Sequence, residues 1–107
     1  MTDYIIVLTT FPSKEEAEKL SEKLLKARLV ACANISSQME SIFRWNGQME
    51  KENEVLVIMK TRKKLFKELS GWILTHHPYD VPEILALPVL MGSDEYLNWI
   101  KEETGEW

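Results

Sequence analysis

The segment from His76 to Glu83 contains two adjacent histidines, a tyrosine and two carboxylates within eight positions. Imidazole is a good ligand for Cu(II) and Zn(II), and copper stands highest in the usual affinity order of divalent metals. Successive residues of a helix point about 100° apart, so two helical histidines would converge poorly on one ion. Pro78 biases His77 toward an extended conformation, which ends a helix at His76 and makes convergence possible. The segment is therefore a candidate metal site, with His76 and His77 as ligands and with Glu83 or Asp80 as a third ligand or as the partner that orients an imidazole.

A purely structural role is the alternative for each of these side chains. His76 could simply finish the helix, and His77 could make a structural hydrogen bond. Cys32 also has two alternative roles. Its thiolate would suit Cu(I) or Zn(II) as a metal ligand, whereas a cysteine between two alanines is by default a small buried residue. The chain has no Cys-x-x-Cys or His-x-His spacing, which argues against a closed structural zinc site.

A second kind of site is possible around Lys60 and Tyr79. A lysine and a tyrosine close to carboxylates such as Asp80 and Glu83 can bind an anion or transfer a proton. We expect them to line a cleft between subunits. The alternative is a buried ion pair beside a core tyrosine.

The first half of the chain predicts a strand, a helix and a long hairpin. Residues 3–10 form an apolar run typical of a strand buried on both faces. Ser13 to Glu16 form a capping-box pattern that starts a helix. Asn46-Gly47 is a strong hairpin signal, with arms from about Val30 to Lys60 that would each reach roughly 45 Å. Arms of this length extend beyond what the core of so small a domain can cover. The extending part contains Phe43 and Trp45, so we expect it to pack on another subunit.

The second half predicts a helix over about residues 63–75, an apolar strand over 84–91 and a last helix. Ser93 is the expected N-cap of that last helix, Gly105 its end, and Trp99 on it is expected at a subunit interface. The element order β-α-β-β-α-β plus a terminal helix is typical of an α+β, ferredoxin-like sandwich.

Composition limits the classes of function. A chain of 107 residues is one domain, residues 1–107. The net charge of −4 argues against nucleic-acid binding. We see no transmembrane segment and no signal peptide, and the single cysteine is typical of a cytoplasmic protein. Acylphosphatase activity is not expected, because no glycine precedes Gly47 and no arginine precedes Arg28.

The motifs resemble those of the CutA divalent-cation tolerance proteins, in the same order and over nearly the whole chain. The matching segments are Ala31-Cys32-Ala33-Asn34, Ser41-Ile42-Phe43-Arg44-Trp45-Asn46-Gly47, Glu54, Lys60-Thr61, His77-Pro78-Tyr79-Asp80-Val81-Pro82-Glu83-Ile84 and Tyr96-Leu97-Asn98-Trp99. Phe43 replaces the usual tyrosine and Asp80 the usual glutamate. The resemblance implies a ferredoxin-like subunit, a homotrimer like that of the PII signalling proteins, and a non-catalytic role in tolerance to copper(II) and similar cations. The alternative is a PII-like signalling trimer that binds a small molecule or anion in the cleft between subunits.

Overall fold

Two helices cover one face of an antiparallel sheet in the computed structural model, which describes residues 3–105. The sheet has the strand order β2-β4-β1-β5, and β3 pairs with the far part of β4. The elements are β1 (Tyr4–Phe11), α1 (Lys14–Lys26), β2 (Cys32–Ile35), β3 (Met39–Trp45), β4 (Gln48–Arg62), a short 3-10 turn (Lys63–Leu65), α2 (Phe66–His76), β5 (Leu85–Pro88) and α3 (Asp94–Glu103). This is the expected ferredoxin-like arrangement.

The local signals for helix ends are confirmed. The Ser13 hydroxyl accepts a hydrogen bond from the Glu16 amide, and Ser93 caps α3 in the same way. α2 ends at His76 because His77 is extended, at ψ 141°, ahead of Pro78. Among residues 3–105, no helix is long and apolar enough to cross a membrane.

The core lies between the helices and the inner face of the sheet. Along β4, Val55, Val57 and Met59 are buried, whereas Leu56 and Ile58 point to the other face and are only partly covered. The same alternation from Tyr4 to Thr9 in β1 shows that this chain covers only one face of that part of the strand, although the sequence predicts burial on both.

The uncovered side of the sheet is apolar. Strand pairing places Ile6 opposite Leu87 and Leu8 opposite Leu85, and Leu85 and Leu87 are 56% and 48% exposed. We call this surface the open face: Ile6, Leu8, Leu56, Ile58, Leu85 and Leu87.

The hairpin turn is confirmed, with φ of 52° at Asn46 and 79° at Gly47. Its first arm, however, is two strands rather than one. Ser36 interrupts it: the Ser36 hydroxyl accepts a 2.8 Å hydrogen bond from the Leu56 amide, and the Ser36 amide donates to the Leu56 carbonyl at 2.9 Å. Phe43 and Trp45 beyond this break are 37% and 49% exposed.

The last strand is shorter than the apolar run predicts. β5 ends at Pro88, which pairs with Ile5, and the Val89 amide still bonds to the Tyr4 carbonyl. β1 begins at Tyr4, so within residues 3–105 the chain beyond Val89 has no further β1 residue to pair with. Leu90 and Met91 are consequently outside the sheet, 85% and 83% exposed.

Candidate functional site

His77 is a buried side chain with both ring nitrogens engaged. Nε2 lies 2.7 Å from the Thr10 carbonyl oxygen and must donate, because a carbonyl only accepts. Nδ1 accepts from the Tyr79 amide at 3.1 Å, and the ring stacks on Phe11 with 4.3 Å between centroids. Burial lowers the pKa of His77 below its ordinary value. The neutral ring therefore uses its lone pair inside the protein, and a metal would have to displace the Tyr79 amide to reach it.

His76 lies in the opposite environment. It is exposed at the end of α2, and its Nδ1 is 2.9 Å from the Trp72 carbonyl oxygen. No hydrogen-bond partner for Nε2 occurs within residues 3–105. Of the two histidines, His76 thus has the nitrogen that is available to a ligand.

Tyr79 connects the His77 region to a buried carboxylate. Its hydroxyl donates to Glu54 at 2.8 Å, and Glu54 is only 8% exposed. Burial, followed by the hydrogen bond to Glu54, raises the pKa of Tyr79. The phenol therefore keeps its proton and remains a hydrogen-bond donor to Glu54.

Glu83 is a second carboxylate in this region. Burial raises its pKa above the ordinary value, and the negative charge of Glu54 raises it further. A cation near Glu83 would be stabilised, because a positive ion offsets both the negative charge of Glu54 and the cost of burying the Glu83 carboxylate.

An open groove lies between the hairpin and the segment after α2. Its volume is about 700 Å³. We call it the acidic groove; its lining includes four carboxylates and three aromatic rings, from Glu50, Glu52, Glu54, Asp80, Phe43, Trp45 and Tyr79. No lysine or arginine of the described residues lines it. Carboxylate oxygens suit divalent cations, and aromatic faces attract positive charge, so the groove is suited to a cationic ligand.

Cys32 and Lys60 lie elsewhere, opposite each other on β2 and β4. The Lys60 amine bonds to the Asn34 side chain and lies 3.9 Å from the Cys32 sulfur. Lys60 is six positions along β4 from Glu54, which corresponds to ~20 Å of strand. The cysteine and lysine lie on the open-face side of the sheet, since Lys60 also pairs with Ile6, and they are far from the acidic groove.

The predicted site residues thus form more than one group. Tyr79 and Asp80 lie at the acidic groove, Glu83 lies within reach of the charge of Glu54, and Lys60 is separate from them. In the described part of the chain, no three His, Cys, Asp or Glu side chains are placed to hold one metal ion.

Two sets of assignments stay predictions. One is the role of His76, His77, Cys32 and Glu83 as metal ligands, and the other is an interface role for Phe43, Trp45 and Trp99. Trp99, 38% exposed, packs against Tyr96 on α3, at 5.4 Å between ring centroids.

Glu54 is the residue that the site predictions missed. It precedes the apolar half of β4 in the sequence and could be read as the charged end of a strand. Its burial depends on Tyr79, which is 25 residues away, so no local pattern shows it.

Comparisons with known proteins agree with this fold. The family model of the CutA1 divalent ion tolerance protein matches residues 5–103. The divalent-cation tolerance protein CutA of Pyrococcus horikoshii is 47% identical over 100 residues, which cover 94% of this chain and 97% of that protein. The structure of the divalent cation tolerance protein of Thermus thermophilus superposes with a TM-score of 0.93, at 42% identity, over 95% of this chain and 99% of that one.

A longer relative matches as well. The chloroplastic protein CutA of Arabidopsis thaliana is 41% identical over 100 residues; the match covers 94% of this chain but 55% of that protein. The aligned part corresponds to the whole sandwich described above. This chain belongs to the CutA1 divalent ion tolerance protein family.

Proposed function

We propose that this protein contributes to divalent-cation tolerance by binding the cation directly, as a non-catalytic homotrimer of the cytoplasm. Copper(II) is among the ions that we expect it to bind. Membership of the CutA1 divalent ion tolerance family supports the role in tolerance, and the side chains of the acidic groove support direct binding.

The acidic groove, which Glu54 lines with three other carboxylates and whose charge reaches Glu83, is the observation on which this proposal rests. Glu54 is buried with the Tyr79 hydroxyl as its hydrogen-bond donor, and its charge raises the pKa of Glu83. A divalent ion bound by an oxygen of each carboxylate would neutralise them, and its other ligands would be water molecules or side chains of a neighbouring subunit. Oxygen ligands alone do not select copper, so His76 or another side chain, in either case from a neighbouring subunit, would supply that preference.

The open face supports the trimer. Monomeric proteins rarely expose a contiguous apolar surface across several strands, and a second copy of the same chain is the partner that is always present. The exposed Phe43 and Trp45 of the hairpin would add to such an interface. The interface would also cover the outer side of β1, as its sequence predicts.

A PII-like signalling trimer that binds a small molecule or anion is the second candidate. Lys60 favours it, because its amine lies on the open-face side of the sheet, where subunits would meet. In that case the ligand would bind between subunits near Lys60, and the acidic groove would not be needed.

Calorimetric titration of metal-free protein with Cu(II), Zn(II) and Mn(II) tests the first proposal. We expect at least tenfold weaker binding in Glu54→Gln and in Glu83→Gln, a loss of about 1.4 kcal/mol or more. Glu22→Gln is the matched control, because Glu22 is an exposed carboxylate on α1. Unchanged affinity in both groove variants would reject the carboxylate site. A thermal shift with inorganic phosphate that Lys60→Ala abolishes would then favour the second candidate.

A further inference from the structure

A second groove lies on the helix-bearing side of the sheet, at the opposite end from the acidic groove. Its volume is about 750 Å³. Ile5, Ala86 and Pro88 form its floor on neighbouring strands, Phe66 forms a wall, and Leu90 lies at its edge. Ile5 pairs with Thr61, which is seven positions along β4 from Glu54, or ~23 Å of strand. The two grooves are therefore separate sites.

The charge of this groove is opposite to that of the whole chain. Lys63, Lys64 and Lys67 line it, and none of the carboxylates in residues 3–105 does. The chain as a whole has a net charge of −4. We call this site the lysine-rimmed groove. Three ammonium groups around an apolar floor attract a ligand that carries both negative charge and apolar surface.

Neither proposed function uses this groove. The open face is the other side of the sheet from the floor around Ala86, which pairs with the buried Val7. The cation site lies at the far end of β4. The lysine-rimmed groove therefore has exposed apolar residues, Ala86, Pro88 and Leu90, that neither proposal covers.

We propose that the lysine-rimmed groove binds a single-chain anionic amphiphile, a carboxylate on an alkyl chain. The alkyl chain would lie on Ile5, Ala86 and Pro88, and the carboxylate would bind the ammonium groups of the rim. The volume is within the range of about 300–1,000 Å³ found for small-molecule sites, which are mostly apolar with a few polar groups. An acidic peptide fits less well, because the floor side chains offer no partner for its amide groups. A lipid bilayer fits less well, because the surface is concave.

Calorimetric titration of the whole protein with sodium dodecanoate, below its micelle concentration, tests this proposal. We expect saturable binding with one site per subunit. Dodecyltrimethylammonium, with the same chain and the opposite charge, should bind at least tenfold more weakly, and acetate should not bind. Absence of saturable dodecanoate binding, or equal affinity for the cationic amphiphile, would overturn the proposal.

Two variants locate the site. Lys63→Gln/Lys64→Gln/Lys67→Gln should weaken dodecanoate binding at least tenfold, whereas Lys14→Gln/Lys26→Gln/Lys51→Gln removes the same charge from exposed positions elsewhere and should not. Ala86→Leu should weaken dodecanoate binding, because the larger side chain fills the floor of the groove. An unchanged mass and an unchanged Cu(II) titration would show that this variant still folds. Full affinity in the first triple variant and in Ala86→Leu would overturn the proposal. Binding to phosphatidylglycerol vesicles without binding of monomeric dodecanoate would overturn it in favour of a membrane surface.

Discussion

The His77 ring joins the end of α2 to β1 through a 2.7 Å hydrogen bond from Nε2 to the Thr10 carbonyl, across 67 residues of sequence. The other ring nitrogen accepts from the Tyr79 amide, and the Tyr79 hydroxyl in turn donates to Glu54. A series of three hydrogen bonds, connected through the covalent structure of Tyr79, thus runs from the sheet through the histidine to the carboxylate of the acidic groove. His76, the adjacent residue, is outside this series.

The two histidines should therefore differ sharply when each is removed. His77→Ala leaves the Thr10 carbonyl and the Tyr79 amide without their partner and removes a stacked ring, so we expect a loss of about 2–3 kcal/mol in the free energy of unfolding. His76→Ala, an exposed neighbour, should cost about 0.5 kcal/mol or less. Urea unfolding at one protein concentration measures both. Equal losses would show that the His77 hydrogen bonds do not stabilise the fold.

The buried imidazole also predicts how stability depends on pH. The pKa of His77 is lowered in the folded protein, whereas the unfolded chain takes up the proton near the ordinary value of 6.5. Below that value the unfolded state binds more protons, so the free energy of unfolding should fall as the pH drops from 6.5 through the lowered pKa.

Glu83 acts in the opposite direction at lower pH. Its folded pKa is raised, so the folded state is protonated first and gains stability as the pH falls through that raised value. The comparison of the wild type with His77→Gln, from roughly pH 8 to pH 5, separates the two effects. We expect a flatter profile below about pH 6.5 in the variant. The same slope in both proteins would contradict the assignment to His77.

Local sequence signals were sufficient where the structure is local. Ser13 and Ser93 as caps, the Asn46-Gly47 turn and the end of α2 before Pro78 depend on a few adjacent residues. The shortening of β5 and the break at Ser36 depend on pairing with strands far along the chain, so an apolar run alone could not show them. The candidate site was likewise predicted only in part. The sequence identified the segment from His76 to Glu83, but the burial of Glu54 and the hydrogen bonds of the His77 ring depend on tertiary contacts.

The Tyr79 hydroxyl should stabilise the fold through Glu54. Tyr79→Phe leaves a buried carboxylate without its donor, and we expect a loss of about 1–3 kcal/mol. Tyr96→Phe is the matched control, because Tyr96 is 43% exposed on α3. Thermal or urea unfolding of metal-free protein measures the effect. A loss no larger than that of the control would mean that solvent replaces the phenol at Glu54.

The oligomer should depend on the open face and on the hairpin. Leu87→Glu places a charge in the middle of the proposed interface, and Trp45→Glu does so on the hairpin. We expect both to shift the mass in light scattering from a trimer to a monomer. Leu74→Glu is the control, because Leu74 is 57% exposed on α2, away from the sheet. A trimer that persists in both interface variants would place the subunit contacts elsewhere.

Locating a bound ion in a crystal structure tests directly whether this protein binds divalent cations at Glu54 and Glu83. Crystals grown without metal and soaked in Cu(II) or Mn(II) should show an anomalous peak within about 2.0–2.5 Å of carboxylate oxygens of Glu54 and Glu83. A copper peak that also contacts His76, from the same subunit or a neighbour, would explain a preference for copper. Peaks that occur only at Cys32 or at scattered surface carboxylates, with none at the Glu54–Glu83 pair, would contradict the account.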